Sequence, residues 1–193
     1  MNPPSPLRHV RAWLDEAMRA GLADADAMIL ATASREGVPS ARVVLCRGID
    51  DEGIRFFTNY ESRKASELAV NPSAALVFFW SSFRRQVRVE GAVAELPAAE
   101  SDAYFRARPR ESQLSAWASP QSRPIANLDE VRLRAREIAR AYEGREVPRP
   151  AFWGGFVLRP RSIELWTAGE HRLHERRFFV LVDGAWLESQ LGP

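Results

Sequence analysis

The chain has 193 residues, 46% of them hydrophobic and 27% charged, with 27 basic against 25 acidic side chains. That composition excludes a disordered chain; the length suits one domain with a sizeable core, and a surplus of two positive charges is too small to argue for nucleic-acid binding. Cys46 is the only cysteine, which rules out an intrachain disulfide framework and a thiolate metal cluster, so it is read as a small buried hydrophobe and no metal site is expected. The first fifteen residues lack a basic segment followed by an apolar run, and no stretch approaches the roughly 20 apolar residues of a membrane span. A cytoplasmic protein with no membrane partner is the expectation.

Leu7, Val10, Trp13, Leu14 and Met18 recur at helical spacing within Ala-rich sequence, predicting a packing helix over 6–21. From Ala27 the pattern turns β-prone: AMILATA, ARVVLCRG and IRFFTN, separated by turns at SREG and DDEG, predict three consecutive strands. ESRKASELAVNP predicts a short helix stopped at Asn71-Pro72, and AALVFFW and RRQVRVEGAVAEL return to strand. In the second of these, Gln86, Arg88 and Glu90 alternate with Val87 and Val89, which puts a polar face opposite an apolar one and leaves it open to a ligand.

Composition predicts helices over 98–108 and 128–142, with SQLSAWASPQSRPI between them as a loop. The last third reads as strands again: FWGGFVLRP, SIELWTA, HRLHERRFFVLV and, after the Asp183-Gly184 turn, AWLESQL. About seven strands joined by short turns favour antiparallel pairing and closure that hides the sheet edges. The fold class expected is therefore mainly β with flanking helices, a small antiparallel barrel forming one domain over 1–193.

No Gly-rich dinucleotide turn, P-loop, zincin motif or nucleophile elbow is present. Arginine instead recurs within the β-patterned segments, and Arg42, Arg47, Arg63, Lys64, Arg108, Arg172 and Arg176 form the group of interest. A guanidinium fork matches phosphate oxygens, so this placement points to phosphorylated ligands. In an extended HRLHER, Arg172, His174 and Arg176 share one face. Tyr104 and Arg108, four apart on a helix, share a face with Ser112 just beyond, so two hydroxyls and a guanidinium can converge on one phosphate. Arg42 and Arg47 lie about 16 Å apart along an extended strand, far enough to serve two phosphates. His9 and His171 are read as ordinary surface residues.

Six segments, SARVVLCRG, FFTNYESRKASEL, RRQVRVEG, YFRARPRESQLSAWASPQS, PRPAFWGGF and ELWTAGEHRLHER, resemble in order and spacing the pyridoxine/pyridoxamine 5'-phosphate oxidases of the FMN-binding split-barrel superfamily, over about 26–193. The resemblance implies a split barrel of Greek-key type and FMN held by Arg42 with Val43, Val44 and Leu45, by Phe57 and Thr58, by Arg63 and Lys64, and by Gln86. Gln121, Ser122, Trp166 and Arg176 complete that implied site, partly from a second subunit of a homodimer. It implies a substrate phosphate gripped by Arg47, Tyr104, Arg108 and Ser112, with Arg172 and His174 over the pyridine ring as the catalytic pair. The implied reaction oxidises pyridoxamine or pyridoxine 5'-phosphate to the aldehyde, with dioxygen as acceptor and hydrogen peroxide released. This chain departs from the family in carrying Arg47 where lysine is usual, and in ending Gln190-Leu191-Gly192-Pro193 where Arg-Leu-x-Pro is usual.

Two other readings use the same residues. One is a related flavin oxidase of the phenazine-biosynthesis type, and the other is a non-catalytic barrel that binds flavin or nucleic acid. RLHER preceded by Glu170-His171 favours the vitamin B6 enzyme, and the scarcity of aromatic positions beside an exposed basic stripe disfavours the nucleic-acid reading.

Overall fold

The computed structural model describes residues 5–193. Helix α1 (Leu7–Arg19) buries Leu7, Val10 and Ala17 against the barrel, while Met18 stays 55% exposed. Strands β1 (Ala27–Ala33), β2 (Pro39–Leu45), β3 (Gly48–Ile49) and β4 (Ile54–Asn59) follow, and then α2 (Arg63–Val70), β5 (Ser73–Trp80) and β6 (Arg85–Glu95). Helices α3 (Ala98–Ala107), α4 (Arg110–Ala118) and α5 (Leu128–Ala141) precede β7 (Trp153–Thr167), β8 (Glu175–Val182) and β9 (Ala185–Gln190).

The nine strands form one antiparallel sheet whose path runs β2-β1-β5-β6-β7-β4-β3, with β8 and β9 added on β7. Its two ends, β2 and β3, are parted only by Cys46 and Arg47, so one bent chain segment closes the barrel. That bend divides the expected strand ARVVLCRG in two. Leu30, Phe56, Phe78, Val87, Val89, Leu158 and Ile163 fill the interior, each contributing roughly 1.5–3 kcal/mol by burial. The predicted alternation in β6 holds, because Val87 and Val89 are buried while Arg88 and Glu90 are exposed. On that polar face Arg88 is paired with both Glu90 and Glu164.

Strand β7 is one element where two were expected. Its first half pairs with β4 and its second half with β8, and β6 runs along both. The register shifts between Glu90 and Gly91, opposite Pro160, and this bulge lets Pro160 sit inside a strand without breaking it. A side chain at Gly91 would place its Cβ 2.0 Å from the carbonyl oxygen of Arg159.

Two further expectations are corrected. The segment after Pro109 is helical as far as Ala118, because Pro109 both ends α3 and opens α4. The side-chain amide of Gln113 then donates to the carbonyls of Phe105, Arg106 and Arg108, each at 3.1 Å, and so caps the preceding helix. HRLHER is not extended: Glu170–Arg172 forms a helical turn with His171 and Arg172 at φ of 50° and 66°, and strand geometry begins at Glu175. His9 is half-buried, with its ring stacked on Phe179 at 6.1 Å. Among the described residues no helix is long and apolar enough to cross a membrane.

Gly91→Ala is expected to destabilise the protein by about 2 kcal/mol or more, since backbone on the neighbouring strand must move. Urea unfolding of both proteins measures this, and equal midpoints would show that the bulge does not depend on the missing side chain.

Candidate active site

A cleft of about 700 Å³ opens between β2, β4 and α2 on one side and the α3–α4 corner on the other. Thirteen of the predicted residues line it. Arg42, Val43, Val44 and Leu45 come from β2, Phe57 and Thr58 from β4, Lys64 from α2, and Gln121 and Ser122 from the loop after α4. Arg47, Tyr104, Arg108 and Ser112 complete the set at the other end.

On the α2 side a buried carboxylate organises the cations. Glu67 accepts hydrogen bonds from the hydroxyls of Thr32 and Ser40, the latter at 2.6 Å, and from Arg63 Nε at 2.9 Å and Arg42 Nη2 at 3.4 Å. Arg42 also donates to Thr32 Oγ1 at 2.6 Å and to the Leu30 carbonyl at 3.2 Å. Burial pushes the Glu67 carboxyl up, but the Ser40, Thr32 and Arg63 hydrogen bonds and the Arg63 charge outweigh it and hold the group at about 2. Arg63, on the first turn of α2, stands beside the cleft rather than in its lining.

Lys64 is buried without a carboxylate partner. Its ammonium donates to Thr58 Oγ1 at 3.0 Å, Ser62 Oγ at 3.2 Å and Gln121 Oε1 at 3.3 Å. Burial, helped by the charge of Arg42, lowers it from 10.5 to about 8.

The opposite wall is aromatic and cationic. Phe57 stacks on Tyr104 at 3.8 Å and on Trp153 at 5.7 Å, and the Arg108 guanidinium lies 4.5 Å over the Trp153 ring. Arg108 Nη1 is the one buried side-chain nitrogen or oxygen without a hydrogen-bond partner among the described residues. Burial draws this guanidinium below the ordinary arginine value; Tyr104 opposes the shift and Arg47 adds to it. Arg47 is tied to Asp26.

Gln86, Trp166, Arg172, His174 and Arg176 do not line this cleft. Gln86, Trp166 and Arg176 are cross-strand neighbours on β6, β7 and β8. The His174 ring lies 4.7 Å from Trp166, and its Nδ1 accepts the Gly169 amide at 3.3 Å. Arg176 donates to the buried Glu164 and to the Gly192 carbonyl, both at 2.8 Å. The face predicted from an extended HRLHER is therefore not formed. A turn presents exposed Arg172, and the pairing of β7 with β8 brings His174 and Arg176 to Trp166.

Sequence reasoning missed Glu67, Trp153 and Asp26. Glu67 had a readable signal, its i,i+4 spacing from Arg63 on a predicted helix. Trp153 and Asp26 had none, because their partners lie far away in the chain.

The cleft lining holds four cationic side chains and no carboxylate among the described residues. Arg42 and Arg47 are balanced from behind by Glu67 and Asp26, whereas Lys64 and Arg108 have no ion-pair partner. A phosphomonoester carries about −1.5 to −2 charge, so a buried ammonium at one end and an orphaned guanidinium N–H at the other fit phosphorylated groups. Barrel and cleft together define a split-barrel protein built to hold phosphate-bearing ligands.

Residues 14–141 match the family described as pyridoxamine 5'-phosphate oxidase, and residues 153–193 match a pyridoxine 5'-phosphate oxidase C-terminal dimerisation region. The chain is 49% identical to the pyridoxine/pyridoxamine 5'-phosphate oxidase of Rubrobacter xylanophilus, over 98% of this chain and 88% of that protein. It is also 49% identical to the Anaeromyxobacter dehalogenans protein of the same name, over 98% and 96%. Among solved structures it is similar to PhzG from Burkholderia lata in complex with tetrahydrophenazine-1-carboxylic acid, with TM-score 0.94 and 31% identity over 99% of this chain and 94% of that one. A pyridoxamine 5'-phosphate oxidase-related, FMN binding protein from Nostoc punctiforme shares the fold, with TM-score 0.78 and 18% identity over 99% and 100%. The chain belongs to the pyridoxine/pyridoxamine 5'-phosphate oxidase family.

A Lys64 held below its unfolded value costs ligand-free stability, fully at pH below about 8 and progressively less as pH rises toward 10.5. Lys64→Met should therefore stabilise the ligand-free protein at pH 7 by about 1–2 kcal/mol, allowing for solvent screening. Thermal melts across this range should show the two proteins converging at high pH, and a variant less stable at pH 7 would show that the buried ammonium carries no such cost.

Proposed function

We propose that this protein oxidises pyridoxamine 5'-phosphate or pyridoxine 5'-phosphate to pyridoxal 5'-phosphate, with FMN as cofactor. The observation that carries this reading is the orphaned Arg108 Nη1, buried over Trp153 in a cleft it shares with Arg47, Tyr104 and Ser112. A second cationic group, Arg42, Arg63 and Lys64, lies toward α2. One cleft thus offers two phosphate-sized positions, one for the flavin and one for the substrate.

Bound FMN would supply the redox chemistry, a two-electron oxidation at C4' with dioxygen reduced to hydrogen peroxide; from the amine substrate, water would then displace ammonia to give the aldehyde. Arg42, Arg63 and Lys64 would hold the cofactor phosphate, with Val43, Val44, Leu45, Phe57, Thr58, Gln121 and Ser122 along the rest of it. Arg47, Tyr104, Arg108 and Ser112 would hold the substrate phosphate. Arg47 in place of the usual lysine presents a fork rather than a point charge, and its pairing with Asp26 fixes one side of that fork.

Gln86, Trp166, Arg172, His174 and Arg176 would reach the cleft of a partner subunit in a homodimer, Arg172 and His174 orienting the pyridine ring. The match of residues 153–193 to a dimerisation region, which contains the last four of these, supports that arrangement. The Gly169 amide donates to His174 Nδ1, which fixes the ring and would leave Nε2 for the substrate. Orientation by these residues, rather than covalent catalysis, is the protein's contribution.

The likeness to PhzG favours a second reading, a related oxidase acting on a phenazine-type ring. Oxygen uptake by FMN-loaded protein with each B6 phosphate distinguishes the two. Aldehyde and peroxide are expected from the wild type, with turnover reduced on the order of a hundredfold in Arg172→Ala while flavin content is kept. Bound flavin without turnover on either substrate would favour the phenazine-type reading. Cys46 is buried with its thiol pushed up to about 11, so Cys46→Ser should keep its turnover in the same assay. Loss of most activity would mean that the thiol participates.

A further inference from the structure

The cluster behind the α2 end of the cleft contains a residue whose part in ligand binding goes beyond its charge. Glu67 is 7% exposed and accepts from four donors on three elements: Thr32 on β1, Ser40 and Arg42 on β2, and Arg63 on α2. Ser40 and Arg42 are themselves bonded, and Arg42 returns to Thr32 and the Leu30 carbonyl, so the network closes on itself. Both carboxylate oxygens are used, Oε1 by Arg63 and Oε2 by Arg42, Ser40 and Thr32.

An arginine has several rotatable bonds and loses much rotamer freedom when fixed. Within the protein, Arg42 is held by four acceptors and Arg63 by one. We propose that Glu67 is a positioning residue: it joins Arg42 and Arg63 in advance so that both present N–H groups to the cofactor phosphate. The proposal rests on the placement of FMN given above.

This role predicts the opposite sign from a simple charge effect. A carboxylate beside an anion site repels the anion, so if Glu67 acted only through its charge, neutralising it would tighten phosphate binding. If it positions the arginines, Glu67→Gln weakens binding, because in either orientation the amide NH2 meets a donor from which it cannot accept, Arg63 Nε in one and Thr32, Ser40 and Arg42 in the other. The loss should fall on the phosphate end of the flavin alone.

The experiment is titration of ligand-free wild type, Glu67→Gln and Glu67→Asp with FMN and with riboflavin, followed by quenching of flavin fluorescence. Wild type should prefer FMN, and both variants should bind FMN roughly tenfold or more weakly with riboflavin affinity nearly unchanged. Riboflavin binding is also the control for folding, and should the glutamine variant not fold, the aspartate variant, which keeps the charge but shortens the reach, carries the test. FMN affinity that is unchanged or tighter in whichever variant folds would overturn the positioning role. A wild type that does not prefer FMN to riboflavin would overturn the phosphate placement itself, and with it this proposal.

Discussion

Strand β7 pairs with different strands along its two halves within one sheet, and the rest of the molecule is arranged around that demand. Its first half pairs with β4 and its second with β8, with the bulge at Gly91 absorbing the change in direction. At its start Trp153 reaches the α3–α4 corner and the cleft, and at its end Trp166 meets His174 and Arg176. A strand of 15 residues spans about 50 Å, so residues from one strand serve two separate surfaces.

The cleft itself is held against electrostatic preference. Lys64 is buried with hydroxyl and amide partners in place of a carboxylate, and Arg108 keeps an unbonded N–H against an aromatic ring. Both conditions cost free energy in the ligand-free protein, and a bound phosphate would relieve both. Where the arginines could be balanced without blocking the cleft, they are: Glu67 lies behind Arg42 and Asp26 beside Arg47. The charge left over is therefore concentrated where phosphorylated ligands would lie, although the whole chain is nearly neutral.

Much of this was legible in residue order. β-prone runs identified β1 and β5, and apolar alternation identified β6, because a strand with one buried face must place a hydrophobe at every second position. Tyr104 and Arg108 do line one cleft, although Arg108 is extended just past the end of α3 and shares no helix face with Tyr104. The readings that failed depended on context. Pro109 was taken only as a stop, yet the Gln113 side chain lets a second helix start at once. HRLHER looked extended, but two left-handed residues turn it first. FWGGFVLRP and SIELWTA looked like two strands because Pro160 is tolerated only through a bulge opposite a distant glycine.

The sequence by itself determined the β-rich class, the phosphate-directed arginines and the resemblance on which the cofactor and substrate expectations rested, since these follow from periodicity, side-chain chemistry and motif order. Only the tertiary structure decided which cations are compensated, because Glu67 reaches back 35 residues to Thr32 and Asp26 lies 21 residues from Arg47. It alone divided the site residues between the cleft and the distal turn, because that division follows from which strands share hydrogen bonds. Charge compensation and strand pairing are long-range contacts, and neither leaves a local pattern in the chain.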